Sequence, residues 1–332
     1  MSEQSDQQLD RDPRTQDQVR RDAVDRGNVL DLNRILVPLD GAYKSEQILP
    51  FASMIADWFS GEITLFHSLP STHPARGARP GQVHYPDATH DRGTALAAAY
   101  LEEVVSRLGP HGVKSRWGIA TGHAASMITS RSATSSFGMI AVAAVPRSRS
   151  RRLFSVGLLD QLWKTTAVPL LIVNPHIASV NGAPLQPPKS LIVPGNRATI
   201  DSVAPIASAL AGASRSAIKL VLTATQANPN AQITTESRFL NGITDDGIEI
   251  DIERAEGNFV EHVHSLQAAN PGSWIVVGSK MRSGVRRSIL GSTADKLPRG
   301  AVGPVVVVPD PKVMRHRMRL AHDATHDLAS SL

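Results

Sequence analysis

SLIVPGNR, residues 190–197, repeats a pattern first met in RILVPLDG, residues 34–41. Each is a short apolar run that reaches a proline and breaks into a turn, as a strand does when it leaves a sheet. The segments downstream of these two runs repeat as well. SEQILPFASMIADWFSG from Ser45 and TIDSVAPIASALAGAS from Thr199 carry apolar residues at helical spacing. Ser45 and Asp201 are the candidate caps. A second strand comes next, EITLFHSL in one copy and AIKLVLTA in the other. The first copy closes with GMIAVAAV, PRSRSRRLFSVG, LLDQLWKT and VPLLIVNP; the second closes with SWIVVG, SKMRSGVRRSILG, STADKLPRG and GPVVVVPD. Near-continuous Val, Ile and Leu strands alternating with helices indicate parallel strands covered on both faces. The chain is two copies of one α/β unit.

Between the copies, HIASVNGAPLQPPK lacks periodicity and has the proline, glycine and asparagine of a linker. The divisions expected are a polar, disordered tail at 1–30, a first domain at 31–176, a linker at 177–188, a second domain at 189–310 and a basic tail at 311–332. The excursion PSTHPARGARPGQVHYPDATHDRG from Pro70 reads as a loop. The last tail has the makings of a short basic amphipathic helix but reads first as a frayed terminus.

The 332 residues are 41% hydrophobic and 20% charged, with net charge +5 and no cysteine. Disulfides, thiolate metal sites and a cysteine nucleophile are excluded. No apolar run approaches the ~20 residues of a membrane span, and the polar start has no secretory core. A cytoplasmic protein with no membrane partner is the expectation. Basic and acidic residues are interspersed, which is weak evidence for nucleic acid; the basic loop PRSRSRRLF from Pro146 reads first as a solvated face, with nucleic acid or an anionic protein surface as the minor alternative.

The order of these elements and their motif residues resembles the universal stress protein family, over about residues 31–176 and 189–310. Val37-Pro38-Leu39-Asp40 matches that family's first-strand ending. VVGSKMRSGVRRSILGSTADKLPRGAVGPVVVVP resembles its closing pattern, in which a glycine loop leads through Gly-Ser into a helix and a Pro-led strand. The resemblance implies two flavodoxin-like domains, each a five-stranded parallel sheet with helices on both faces. They would pair as a pseudo-dimer through their final strands, with a further homodimer possible. It also implies a stress-response or signalling role without catalysis, unidentified protein partners and, in some members, ATP with Mg²⁺.

Nucleotide binding has to be read residue by residue. Pro194, Asn196, Gly278, Met281, Gly291 and Ser292 fall at the family's site positions in the second copy. Glycines there let backbone approach phosphate, and a serine opening a helix adds a hydroxyl to outward-pointing N–H groups. Lys280, Arg282, Arg286 and Arg287 add positive charge. Two positions depart: Met281 replaces the second glycine, and Asn196 replaces the aspartate and its charge. Ser292 with Asp295 also reads as a capping box. The first copy keeps Asp40 and Gly157 but has Ala144, Arg147 and Leu158 at the remaining positions. ATP is therefore expected in the second copy alone.

Other candidates have plainer readings. His73, His84 and His90 fit no metal spacing and read as exposed loop residues. His262 and His264, two apart on a helix, do not face one ligand. His67 ends a strand and reads as packed or hydrogen-bonded, while Trp58, Trp117, Trp163 and Trp274 read as packing residues. No nucleophile elbow, P-loop or kinase signature occurs. A nucleotide-responsive protein, a nucleotide-independent scaffold and a slow ATPase are the three functions left.

Overall fold

The computed structural model describes residues 32–71, 86–143, 156–175, 185–223, 247–279 and 292–330, with backbone alone at 86–89, 156, 197–198, 292–295 and 321–330. The first half contains β1 (Arg34–Pro38), α1 (Tyr43–Glu46), α2 (Leu49–Trp58), β2 (Glu62–Leu69), α3 (Pro86–Leu108), β3 (Lys114–Thr121), α4 (Ala124–Thr134), β4 (Met139–Ala143), α5 (Val156–Thr165) and β5 (Leu170–Val173). The second half contains β6 (Ser190–Gly195), α6 (Arg197–Ser214), β7 (Ala217–Thr223), β8 (Ile250–Ala255), α7 (Phe259–Ala269), β9 (Trp274–Ser279), α8 (Ser292–Gly300), β10 (Val305–Pro309) and α9 (Pro311–Ser330).

One sheet of ten strands runs through both halves in the order β3-β2-β1-β4-β5-β10-β9-β6-β7-β8. Within each half all neighbours are parallel. The halves meet where β5 and β10 pair antiparallel, with Leu171 opposite Val306. This is the final-strand pairing that the resemblance implies. Because the join is antiparallel, the strands of the two halves point in opposite directions.

Strands β4, β5, β9 and β10 are buried at every position, which is why their sequences run apolar without alternation. Their side chains divide between two cores. One core lies under α2, α3 and α6, through Ile55, Leu101, Val203 and Leu210, and takes Trp274 and Val276 from β9. The other lies under α4, α5, α7 and α8, through Ile128, Leu162, Val263 and Leu297, and takes Ile275 and Val277. Helix α6 shows the logic locally: Ile200, Val203, Ala207, Leu210 and Ala211 line its buried stripe. Arg215 in the left-handed conformation ends it, at φ 57.

Several expectations need correcting. Neither Ser45 nor Asp201 is a cap: α1 starts after Ala42, with Ser45 buried inside it, and Asp201 lies within α6, whose cap is Asn196. Two turns of apolar periodicity do not locate a helix start that depends on where the preceding strand lets go. The excursion after β2 is shorter than its sequence suggests, because α3 has begun by Pro86 and His90 lies on it. His73 and His84 lie outside the described residues. Trp163 and Trp274 are fully buried, but Trp117 is 38% exposed because its strand, β3, is a sheet edge.

The basic C-terminal stretch is a docked helix rather than a frayed end. Val313 and Met314 of α9 are buried, and Met318 packs on the core beneath α4 and α5. Arg317 donates from Nη1 to the Thr166 carbonyl at 2.5 Å and from Nη2 to that of Lys164. These carbonyls close α5, where a cation is favoured. Burial pulls the Arg317 guanidinium down to about 10. The second half thereby holds the first by a helix as well as by a strand, and Arg299 Nη2 on α8 reaches Asp160 Oδ1 on α5 at 2.9 Å.

Candidate functional site

Strands β6 and β9 are parallel neighbours, with Leu191 opposite Trp274 and Ile192 opposite Ile275. Extending this register sets Gly195 level with Gly278 at their carboxyl ends. From there α6 leaves β6 toward one core and α8 follows β9 toward the other. A crevice opens at such a point, because the two connections diverge to opposite faces of the sheet. Pro194, Asn196 and Gly278 are thus brought together. Ser292 begins α8, while Met281, Gly291 and the loop cations Lys280, Arg282, Arg286 and Arg287 lie outside the described residues.

Asn196 is the N-cap of α6, and its side chain and that of Thr199 form a reciprocal capping box. Its Oδ1 accepts from the Thr199 backbone N–H at 3.3 Å, and the Asn196 N–H donates to Thr199 Oγ1 at 2.9 Å. Asparagine is among the best residues for this task. The loss of the aspartate charge therefore leaves the helix start intact. Asn196→Ala should lower stability by about 1 kcal/mol, read from the urea midpoint; a change below a few tenths would show that Thr199 caps the helix alone.

The two glycines have a packing reason of their own. A Cβ on Gly278 would lie 3.0 Å from Ser202 Oγ and 3.1 Å from the Thr199 carbonyl, while one on Gly195 would lie 2.4 Å from Thr199 Oγ1. The first turn of α6 lies directly on both strand ends, so a larger residue at either position makes its neighbours shift. Gly278 thus has a packing reason to be small whether or not phosphate binds above it.

Ser279, which carries no motif in the sequence, follows Gly278 and is 3% exposed. Its Oγ has no hydrogen-bond partner among the described residues. Alternation along β9 turns it to the face of Ile275 and Val277, the side that also carries α8. A serine between a motif glycine and a lysine gives no sequence signal of burial.

In the first half Asp40 Oδ1 accepts from the Ala42 N–H at 3.0 Å, forming a turn after β1. Ser45 Oγ donates to the Ala42 carbonyl at 2.7 Å. Beside this turn, Glu46 accepts from the Tyr100 hydroxyl at 3.0 Å and from Arg107 Nη2 at 2.7 Å. Burial and the Glu46 carboxylate push the Tyr100 hydroxyl well above its ordinary value. His67 Nδ1 lies 2.8 Å from the Leu39 carbonyl, the hydrogen-bonded role expected of it. Leu158, at the family's serine position, is buried in the core, and Ala144 and Arg147 lie outside the described residues. The opposed strand directions put Asp40 and Asn196 at opposite ends of the sheet, so the structure does not combine Asp40 with the second-half set.

His262 and His264 are tied into the framework. His262 Nε2 is 2.8 Å from Glu253 Oε1, whereas His264 Nε2 is 2.9 Å from the Leu297 carbonyl, so the two face different partners. His90 Nε2 lies 3.5 Å from Thr121 Oγ1. Among the described residues no group of three or more His, Cys, Asp or Glu side chains could hold a metal ion. Among them, too, no helix is long and apolar enough to cross a membrane.

With this geometry in place, the comparisons with known proteins agree on the architecture. The universal stress protein family model matches residues 32–174 and 203–309. No curated protein matches the sequence. Among solved structures, a universal stress protein from Archaeoglobus fulgidus superposes with TM-score 0.66 at 18% identity, covering 84% of this chain and 98% of that one. A Pseudomonas aeruginosa protein described as a putative universal stress protein gives TM-score 0.61 at 15% identity, with 89% and 100% covered. A second protein from that organism, described as functionally unknown, gives 0.59 at 14% identity, with 88% and 98% covered. At such identities the likeness speaks to fold alone.

Proposed function

This chain belongs to the universal stress protein family, and from that premise we propose that it is a non-enzymatic signalling protein whose second half binds an ATP-class nucleotide. The observation carrying this reading is the meeting of β6 and β9 at the switch point, with Asn196 and Gly278 at their adjoining ends. Pro194 and Asn196 would flank the adenosine portion. Gly278, Met281, Gly291 and Ser292 would face the phosphates, whose charge Mg²⁺ would offset. Occupancy would tie the strand ends to the start of α8 and alter the surface offered to a protein partner. Asp40 has no part in this site and, at most, a weaker one in the first half. A stress-response role in the cytoplasm belongs to the same proposal, as do the domain divisions at 176, 188 and 310.

A specific observation favours the runner-up, a nucleotide-independent scaffold. Asn196 and Gly278 each have a structural task, capping α6 and admitting its first turn. Both residues would persist if the site were lost. A slow ATPase is the third reading, in which Mg²⁺-dependent phosphate release would disappear in Ser292→Ala.

Calorimetric titration of the whole chain with ATP and Mg²⁺ separates these. The expected result is saturable binding near one site per chain, weakened about tenfold by Ser292→Ala and unchanged by Asp40→Ala. No heat, together with no displacement of a fluorescent ATP analogue, leaves the scaffold.

A further inference from the structure

Helix α9 presents its inner stripe to the protein and its outer stripe to water. Val313, Met314, Arg317 and Met318 face inward. Lys312, Arg315, His316 and Arg319 are all exposed and recur at the i, i+3, i+4, i+7 spacing of one helix face. No acidic residue occurs in residues 311–320. None of Lys312, Arg315 and Arg319 joins a salt bridge among the described residues, whereas Arg34, Arg107, Lys219 and Arg299 do. Docking of the inner face fixes this array. The cations step along the axis by about 5 Å and span about 10 Å.

We infer that this outer face of α9 binds the phosphate backbone of a nucleic-acid duplex. A row of cations with no salt bridge among the described residues matches a regular line of phosphates, and about 10 Å covers roughly three base-pair steps of one strand. An anionic membrane fits less well. The helix has already spent its apolar side on the fold, and Leu320 is the one large apolar side chain exposed on its described part. Composition alone argues against nucleic acid because the charges alternate along the chain. Over residues 312–319, between Asp310 and Asp323, the helix gathers one sign on one face.

The test is fluorescence anisotropy of a short mixed-sequence DNA duplex with the full chain, from roughly 50 to 200 mM salt. Neutralising three phosphates gives a log–log salt slope of about −2.7 and an affinity loss of about 40-fold across that range. K312E/R315E/R319E should abolish the slope while keeping the wild-type circular dichroism and melting temperature. The neutral K312Q/R315Q/R319Q gives the same result without charge repulsion. R92E/K114E/K189E makes the same net charge change at exposed sites elsewhere and should retain the slope. Equal loss in both charge-reversed variants, or binding to phosphatidylserine vesicles with none to the duplex, overturns the inference.

Discussion

Trp274→Ala should lower the unfolding free energy by about 3–5 kcal/mol, the range for truncating a large buried aromatic. Trp274 is 2% exposed at the start of β9. Its ring lies 6.0 Å from that of Phe51 and 5.8 Å from that of Trp58, both on α2 of the first half. The residue thus fills the core common to both halves, beneath α2 and α6. Truncation would leave a cavity where the halves meet, since neither the sheet nor the two helices can close without breaking strand register. The loss should therefore be cooperative in character as well as large. In scanning calorimetry one transition becomes two as the halves uncouple. Urea unfolding followed by circular dichroism checks the magnitude, with Trp117→Ala as control because that edge residue is 38% exposed. A loss for Trp274→Ala below about 1 kcal/mol, the scale of a surface substitution, would mean that the halves are stabilised independently.

The role of Trp274 also marks how far the sequence can be read. Each α/β copy is legible because a strand buried on both faces has to be apolar throughout, and the repeat then supplies the order. Which tryptophans are buried is not legible, since Trp117 and Trp274 both stand in strands and differ only in place within the sheet. Helix starts fail for a related reason. Asp201 is as good a cap as Asn196 by residue type, and only the end of β6 at Gly195 decides between them. The docking of α9 is hidden because Arg317 lies on its buried stripe, and an arginine there breaks the apolar pattern. Its partners are the closing carbonyls of a helix about 150 residues earlier in the chain. At the site, Gly278 reads as a phosphate glycine, yet the close packing of α6 also favours a small residue there. One glycine can satisfy two demands, and sequence does not separate them.

That double demand makes Met281 and Asn196 better probes of ligand binding than Gly278, whose substitution would disturb α6 first. Met281→Gly should tighten ATP binding by about tenfold, equivalent to about 1.4 kcal/mol. Removing the side chain where backbone would approach phosphate acts in favour of binding. Against it stands the extra freedom of a glycine in the unbound loop, about 0.5–1 kcal/mol, so the steric gain has to exceed that cost for the sign to hold. Asn196→Asp is the complementary change. Aspartate caps a helix about as well as asparagine, so the melting temperature should stay near the wild-type value while a hydrogen-bond acceptor gains full charge. Affinity should rise a few-fold. If the two changes act on different parts of one ligand, their effects add in the double variant. Measured by calorimetry in matched salt, that outcome would identify a nucleotide site weakened at two separate points. Unchanged affinity in all three variants, with stability preserved, would mean instead that Asn196 remains for its cap and Gly278 for the helix above it, and that the chain acts through its surfaces.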